Sequence, residues 1–421
     1  MRPIVQRPSG RLGNFWIVAG ALLVAAVCGP GDSPSSLFNG LGRPFWMAFD
    51  ALSLAMLVRW RPNLWLLIAD NPLLMAWPGL AMLSALWSVA PDISLYHGLQ
   101  LALTILVGLS ARASMDLRSL LRTLVWGLGL ASALSIVAIV RHAPGAVGPD
   151  GVWLGAFPHK NTLGSMMVLQ LLTCSVLALD GRHRRLAGLA AMPALVLLGG
   201  SHSGTAYLSL AATIAIVPVA LCYRSGSTAF GLILSAGLMA AGGMLYIATS
   251  GLDMASAVLS GLGKDDTLSG RTILWQFGVD QIWAHPFLGL GYKAYWQSPV
   301  TGSAYLRYVI GQDLWFFHNN FIDVGVAFGI PGILLFCSVL LAAARRSIAA
   351  FVEDASILNL WAPLFVACTA ISATAENPLF QNNSLHQSLL AIAMAAPATV
   401  LRCRSACAAS ASVVRYEGSM A

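Results

Sequence analysis

The chain has 421 residues, of which 57% are hydrophobic and only 10% charged, with a mean hydropathy of +0.73 and a formal net charge of +7. A soluble domain of this length carries about 25% charged residues, so the composition excludes a soluble enzyme and points to a polytopic membrane protein. The alternation of an outer-membrane barrel is absent, only helices or closed barrels cross lipid, and the basic charge reads as a mark of topology rather than of nucleic-acid binding.

The N-terminus, MRPIVQRPSGRLGNFW, is basic and leads into an apolar run. A cleaved signal peptide looks similar, but the many later spans favour a first helix that doubles as a start signal. A window of about 19 residues gives about twelve spans. They lie near 14–29, 42–58, 71–88, 93–111, 118–140, 161–179, 186–200, 204–222, 228–250, 318–343, 357–375 and 384–401. With the N-terminus in the cytoplasm, the inner segments hold 17 of the 24 Lys and Arg residues and the outer segments 7. That is the positive-inside pattern, which one misplaced span would scramble.

The expected architecture is therefore an all-α, polytopic inner-membrane helical bundle. Residues 1–250 form an N-terminal membrane bundle, 251–317 a long periplasmic loop, 318–401 the C-terminal spans and 402–421 a disordered cytoplasmic tail. Both termini are expected in the cytoplasm. The seven cysteines fall mostly inside spans and read as packing or tail residues.

All three lysines lie on the outer side, against the topology bias, and most outer basic residues fall in 141–160 and 251–317. Long ordered loops tend to carry function. In the second of these, GRTILWQFGVDQIWAHP reads as an interfacial helix, capped by Ser269 and stopped by Pro286, with Trp275 and Trp283 at headgroup level. FLGLGYKAYW then turns on Gly289 and Gly291, and SAYLRYVIGQDLWFFHNN returns to the membrane through a run of aromatic residues. These aromatics suit either sugar stacking or an interfacial belt.

Arg271 stands at the positive end of the interfacial helix, where a guanidinium beside free N–H groups suits phosphate. Pairing with Asp265 or Asp266, or reaching lipid phosphates, is the plainer role. His318 opens a span. An imidazole there suits proton abstraction, or it caps the helix together with Asn319 or Asn320. Glu376 and Asn377, in ATAENPLFQNNS, end a span before Pro378 and either orient His318, bind acceptor sugar or simply end the helix. Asp50 and Gln100 read as inter-helix hydrogen-bonding groups, and His97 and His142 as interfacial.

Together, SGRTILWQFGVDQIWAHPFLGLGYKAYW and the later HNNFIDVGVAFGIPGILLF resemble the signature region of the O-antigen ligase/polymerase superfamily. GAFPHKNTLGSMM at 155–167 and GGSHSGTA at 199–206 resemble upstream blocks of its exopolysaccharide-polymerase branch. The resemblance covers roughly 155–380. It implies a GT-C-like fold and an inverting, metal-independent glycosyltransferase with no cofactor. Such an enzyme joins undecaprenyl-pyrophosphate-linked repeat units at the periplasmic face into exopolysaccharide or O-antigen. A ligase to lipid A-core is the alternative, and the upstream blocks tilt the reading to polymerase. Implied partners are the lipid-linked oligosaccharide, the bilayer, a flippase and chain-length or export proteins.

Carried over by position, His318 is the general base, Arg271 a pyrophosphate ligand and Lys160 a second one. The chain departs from the pattern in GGSHSGTA, where relatives often carry Arg and this sequence has His202. Lys293 or Arg307 is then a substitute third cation, with Asn319 and Glu376 as supports. The outer loops hold no Asp-x-Asp motif, which agrees with metal-free catalysis. A transporter or flippase needs ionisable groups deep in several spans and repeated halves, and neither is evident. A non-catalytic export scaffold is a third reading.

Overall fold

The computed structural model describes residues 61–225, 269–311, 314–354 and 356–395, with single positions at 48, 50, 51, 54, 55 and 236. The expected span 14–29, most of 42–58 and of 228–250, and the tail 402–421 lie outside the described residues.

The described residues are helical, apart from loops and one isolated bridge between Val147 and Trp153. In chain order the helices are α1 (Arg61–Ala69), α2 (Pro72–Leu83), α3 (Pro91–Ser114), α4 (Leu117–Val140), α5 (Lys160–Asp180), α6 (Arg184–Ser201) and α7 (Gly204–Ser225). Then follow α8 (Ser269–Ala284), the short α9 (Ala294–Gln297) and α10 (Ser303–Ile310), α11 (Asn320–Glu353), α12 (Trp361–Ser372) and α13 (Leu385–Met394). Among the described residues four helices, α3, α4, α5 and α11, are long and apolar enough to cross a membrane, and the apolar stretches in α2, α7, α12 and α13 are shorter. The chain is a polytopic helical membrane protein.

Local chemistry sets the helix ends. Asp116 caps α4 by accepting the Ser119 N–H, and Gly181, in the left-handed region, closes α5. Within the bundle, polar side chains join helices rather than face lipid. Gln170 on α5 accepts from Ser132 of α4 at 2.5 Å and donates to the Ala190 carbonyl of α6 at 2.8 Å. Gln100 of α3 reaches Asp50 at 3.4 Å. An Arg118–Asp180 ion pair at 2.8 Å ties the start of α4 to the end of α5.

The expected span at 318–343 is longer than the sequence suggests, and it is broken. Gly329 sits at φ 68, which a residue with a Cβ rarely adopts, and Pro331 has no N–H to give. The carbonyls this frees are taken up by the loop after α8. Leu290 N–H donates to Val326 O at 2.9 Å, Gly291 N–H to Ala327 O at 3.0 Å, and Ile330 N–H returns a bond to Pro286 O at 2.7 Å. The backbones approach so closely that a Cβ on Gly289 would lie 2.4 Å from the Ala327–Phe328 peptide. The other side of the loop is held by the α2–α3 turn, where Ser84 Oγ accepts the Tyr292 N–H and Ser94 Oγ donates to the Tyr292 carbonyl. The glycine block FLGLG is thus a tie between the broken helix and the bundle.

Candidate active site

Four segments meet at one end of the bundle: the start of α5, the start of α8, the loop at 314–319 that enters α11, and the turn after α12. His159 caps α5 through its Nδ1, which accepts the Asn161 N–H at 3.2 Å. Arg271 lies in the first turn of α8. His318 stands just before Asn319, whose side chain caps α11 by accepting from Phe321 and Ile322 N–H.

Glu376 joins these segments. Its Oε2 lies 3.0 Å from His318 Nδ1 and its Oε1 2.9 Å from an Arg271 guanidinium nitrogen. Arg271 also donates to the Ala375 carbonyl at 3.1 Å, so two of a guanidinium's five N–H donors are engaged. Asn161 Nδ2 donates to Glu376 Oε1, and Asn161 Oδ1 accepts from Ser203 Oγ at 2.9 Å. The His318 and Glu376 side chains are 16% and 15% exposed, so the pair is sheltered yet still open to a reactant. A carboxylate on Nδ1 fixes the tautomer that carries its proton there and leaves Nε2 with a lone pair.

His318 holds a left-handed backbone, φ 51, a strain that persists only when its surroundings over-determine it. They do so here. The Phe317 carbonyl accepts from Trp275 Nε1 at 2.9 Å, and the Phe317 N–H donates to Asp323 at 3.1 and 3.2 Å. Asn319 Nδ2 donates to the Thr374 carbonyl. Asp323 also accepts from Trp296 Nε1 at 3.3 Å and from Asn377 Nδ2 at 3.1 Å. One buried carboxylate therefore grips the residue before His318 and the residue after Glu376.

Burial alone would raise the pKa of Glu376. The hydrogen bond to His318 and the electrostatic pull of His318, Arg271 and His159 outweigh it and hold the carboxyl below the usual glutamate value. A depressed folded-state pKa gives stability that is present above the unfolded value and is lost as pH falls through the folded one. Glu376→Gln is thus expected to cost about 2 kcal/mol near neutral pH, the scale of a hydrogen bond to a charged group. The gap in melting temperature from wild type should narrow as pH falls below the ordinary glutamate range and the wild-type carboxyl also protonates. A gap that persists unchanged through that range contradicts the ionised carboxylate.

The other residues singled out by sequence are placed as follows. Lys160 is the first residue of α5, half-buried and adjacent to His159. His202 is exposed at the α6–α7 turn, φ 47, one residue from the Ser203 that braces Asn161. Lys293 is directed elsewhere. It donates to Gln381 Oε1, and burial lowers its pKa while Asp323 opposes that shift. Arg307 braces the loop by donating to the Leu314 and Trp296 carbonyls at 2.8 Å, and it lies over the Trp315 ring at 4.8 Å. Asp265 and Asp266 lie outside the described residues. Asp323, Asn161 and His159 were not singled out by the sequence reading. A carboxylate three residues into the apolar run after HNN was the available signal for the first.

Residues 187–337 match the O-antigen ligase family. The chain is also 32% identical over 277 residues to the exopolysaccharide production protein ExoQ of Rhizobium meliloti (strain 1021). Both similarities agree with the resemblance to the O-antigen ligase/polymerase superfamily read from the motifs. The ExoQ alignment covers 62% of this chain and 62% of the relative, so the chain spans under two thirds of that protein's length. The family match includes Arg271 and His318. Lys160 and Glu376, which the fold brings to or beside them, lie outside it.

Proposed function

We propose that the chain is a membrane glycosyltransferase that polymerises lipid-linked saccharide repeats, with His318 as general base. The observation that carries this reading is the run His318–Glu376–Arg271, a base and a cation joined through one carboxylate. The acceptor hydroxyl oxygen bonds to the anomeric carbon of the donor sugar with inversion. The bond from that carbon to undecaprenyl pyrophosphate breaks, and its electron pair leaves on the pyrophosphate oxygen. The hydroxyl proton passes to His318 Nε2. Arg271 and Lys160 hold the pyrophosphate and offset its growing negative charge.

The balance of 17 Lys and Arg against 7 supports a periplasmic face for this end and the cytoplasm for both termini, in a bacterial inner membrane. The 32% identity to an exopolysaccharide production protein favours polymerisation of repeat units. The description of the matched family favours the second reading, transfer of a finished glycan to lipid A-core.

Arg271 separates the cation's role from its fork geometry. In cells whose own copy is replaced, Arg271→Ala is expected to abolish polymer at normal protein levels. Arg271→Lys keeps the charge without the bidentate fork and should retain about a tenth or less of the activity. Full-length polymer from Arg271→Ala would contradict the proposed site. Modification of lipid A-core alone, with no growth of the lipid-linked chain, would establish the ligase reading instead.

A further inference from the structure

Several helices also converge at the far end of the bundle. α3 ends at Ser114, α4 begins at Leu117, α11 ends at Glu353, α12 begins at Trp361 and α13 ends at Met394. Two of them, α11 and α12, have their other ends beside the His318–Glu376 pair. The far end therefore lies at the opposite membrane face from that pair. Between these helix ends is an open cleft with a cavity volume of about 190 Å³, lined by Arg112, Arg346, Glu353, Asn359 and Trp361 among others.

Its two guanidinium groups are held differently. Arg346 is anchored by a hydrogen bond to the Asp70 carbonyl at 2.7 Å. Arg112 has no hydrogen-bond or ion-pair partner among the described residues. The acidic group whose charge it feels, Asp116, is engaged in capping α4 at 3.3 Å. Asn359 is turned to the Ala350 and Asp354 carbonyls, so it does not serve Arg112. Glu353 is exposed and is the acidic side chain on the cleft.

Two like charges facing a shared cleft at the end of membrane-crossing helices leave a position that an anion completes. Guanidinium groups bind phosphate through paired N–H donors, and basic pockets between helices at a membrane face suit lipid headgroups. We propose that the Arg112–Arg346 cleft binds the phosphate of an anionic phospholipid from the leaflet opposite the His318–Glu376 pair. Glu353 on the same cleft disfavours a second negative charge, so a phosphodiester such as phosphatidylglycerol fits better than a doubly charged phosphomonoester. The site is independent of the glycosyl-transfer reading.

The test uses the purified full-length protein, delipidated in detergent and supplied with phosphatidylglycerol. Retained lipid is read by native mass spectrometry, alongside the rise in melting temperature that the lipid causes. Arg112→Gln is expected to reduce retained lipid about fivefold to tenfold and to remove the rise, the scale of roughly 1 kcal/mol per basic group near the surface. Arg112→Lys should retain part of both. Arg122→Gln, a basic residue of α4 outside the cleft, should behave as wild type. Equal retention in Arg112→Gln and wild type overturns the proposal. Displacement by inorganic phosphate at matched concentration overturns the lipid source and leaves a site for soluble anions. Because Arg112 contacts no described acceptor, its loss leaves the fold in place, and an unchanged elution profile checks this.

Discussion

His318→Gly should remove glycosyl transfer almost completely while leaving the folded protein intact. A general base contributes about 10²–10⁴-fold to a rate, and no other described imidazole is hydrogen-bonded to Glu376. Glycine is the informative replacement because His318 sits at φ 51, where glycine is unstrained and alanine is not. Loss of turnover in His318→Gly therefore reports the missing imidazole, whereas His318→Ala adds a backbone cost of about 1 kcal/mol. The KM for the lipid-linked donor should change little, since the pyrophosphate is held by Arg271 and Lys160. Added imidazole should restore part of the turnover to the glycine variant by occupying the vacated space beside Glu376. Retained full turnover in either variant, at normal protein levels, removes His318 from the base role.

Asp323→Asn is expected to lower turnover about 10²-fold, through position rather than charge, because a displacement of about 1 Å at a reacting group costs that much. The carboxylate accepts four hydrogen bonds on its two oxygens, from Phe317 N–H twice, from Trp296 and from Asn377. A carboxamide has one accepting oxygen, so its NH₂ must face a donor in one of these directions. Either Trp296 or Asn377, which neighbours Glu376, then loses its acceptor, and Phe317, which sets His318, keeps one of its two bonds and faces an N–H in place of the other. The variant also leaves Lys293 without the charge that opposes its burial, which costs stability as well. The two effects separate by measurement. A purely structural role lowers the amount of folded protein but not turnover per folded molecule, and it leaves the pH profile alone. A positioning role lowers kcat with KM unchanged and moves the acid limb of the profile, since the His318–Glu376 contact is altered.

The helical membrane class was legible because apolar runs and basic loop ends follow from the solvent, not from tertiary detail. Expected spans at 93–111, 118–140 and 161–179 match α3, α4 and α5 closely. The approach of Glu376 to His318 was among the readings of ATAENP, although 58 residues separate them. Sequence could not choose there between a helix-ending turn and an orienting carboxylate, because that choice depends on how α12 packs beside α11. Lys293 and Arg307 were illegible for a related reason. A long cationic side chain shows its charge in the sequence but not its direction, and each of these is drawn to carbonyl or amide oxygens of the loop framework. The break in α11 was written as GIPG. Its consequence, free carbonyls that accept the backbone of FLGLG, needed both segments in place. Asp323 was visible as a carboxylate in an apolar run, but its partners lie on three separate segments.

The most direct measurement is transfer by the purified protein in liposomes supplied with undecaprenyl-pyrophosphate-linked repeat units, with the wild type beside His318→Gly. Ladders of lengthening lipid-linked oligomers from the wild type, absent from the variant and partly restored by imidazole, are the predicted result. Equal ladders from both proteins, or movement of the lipid-linked units across the bilayer with no new glycosidic bond, would contradict the account.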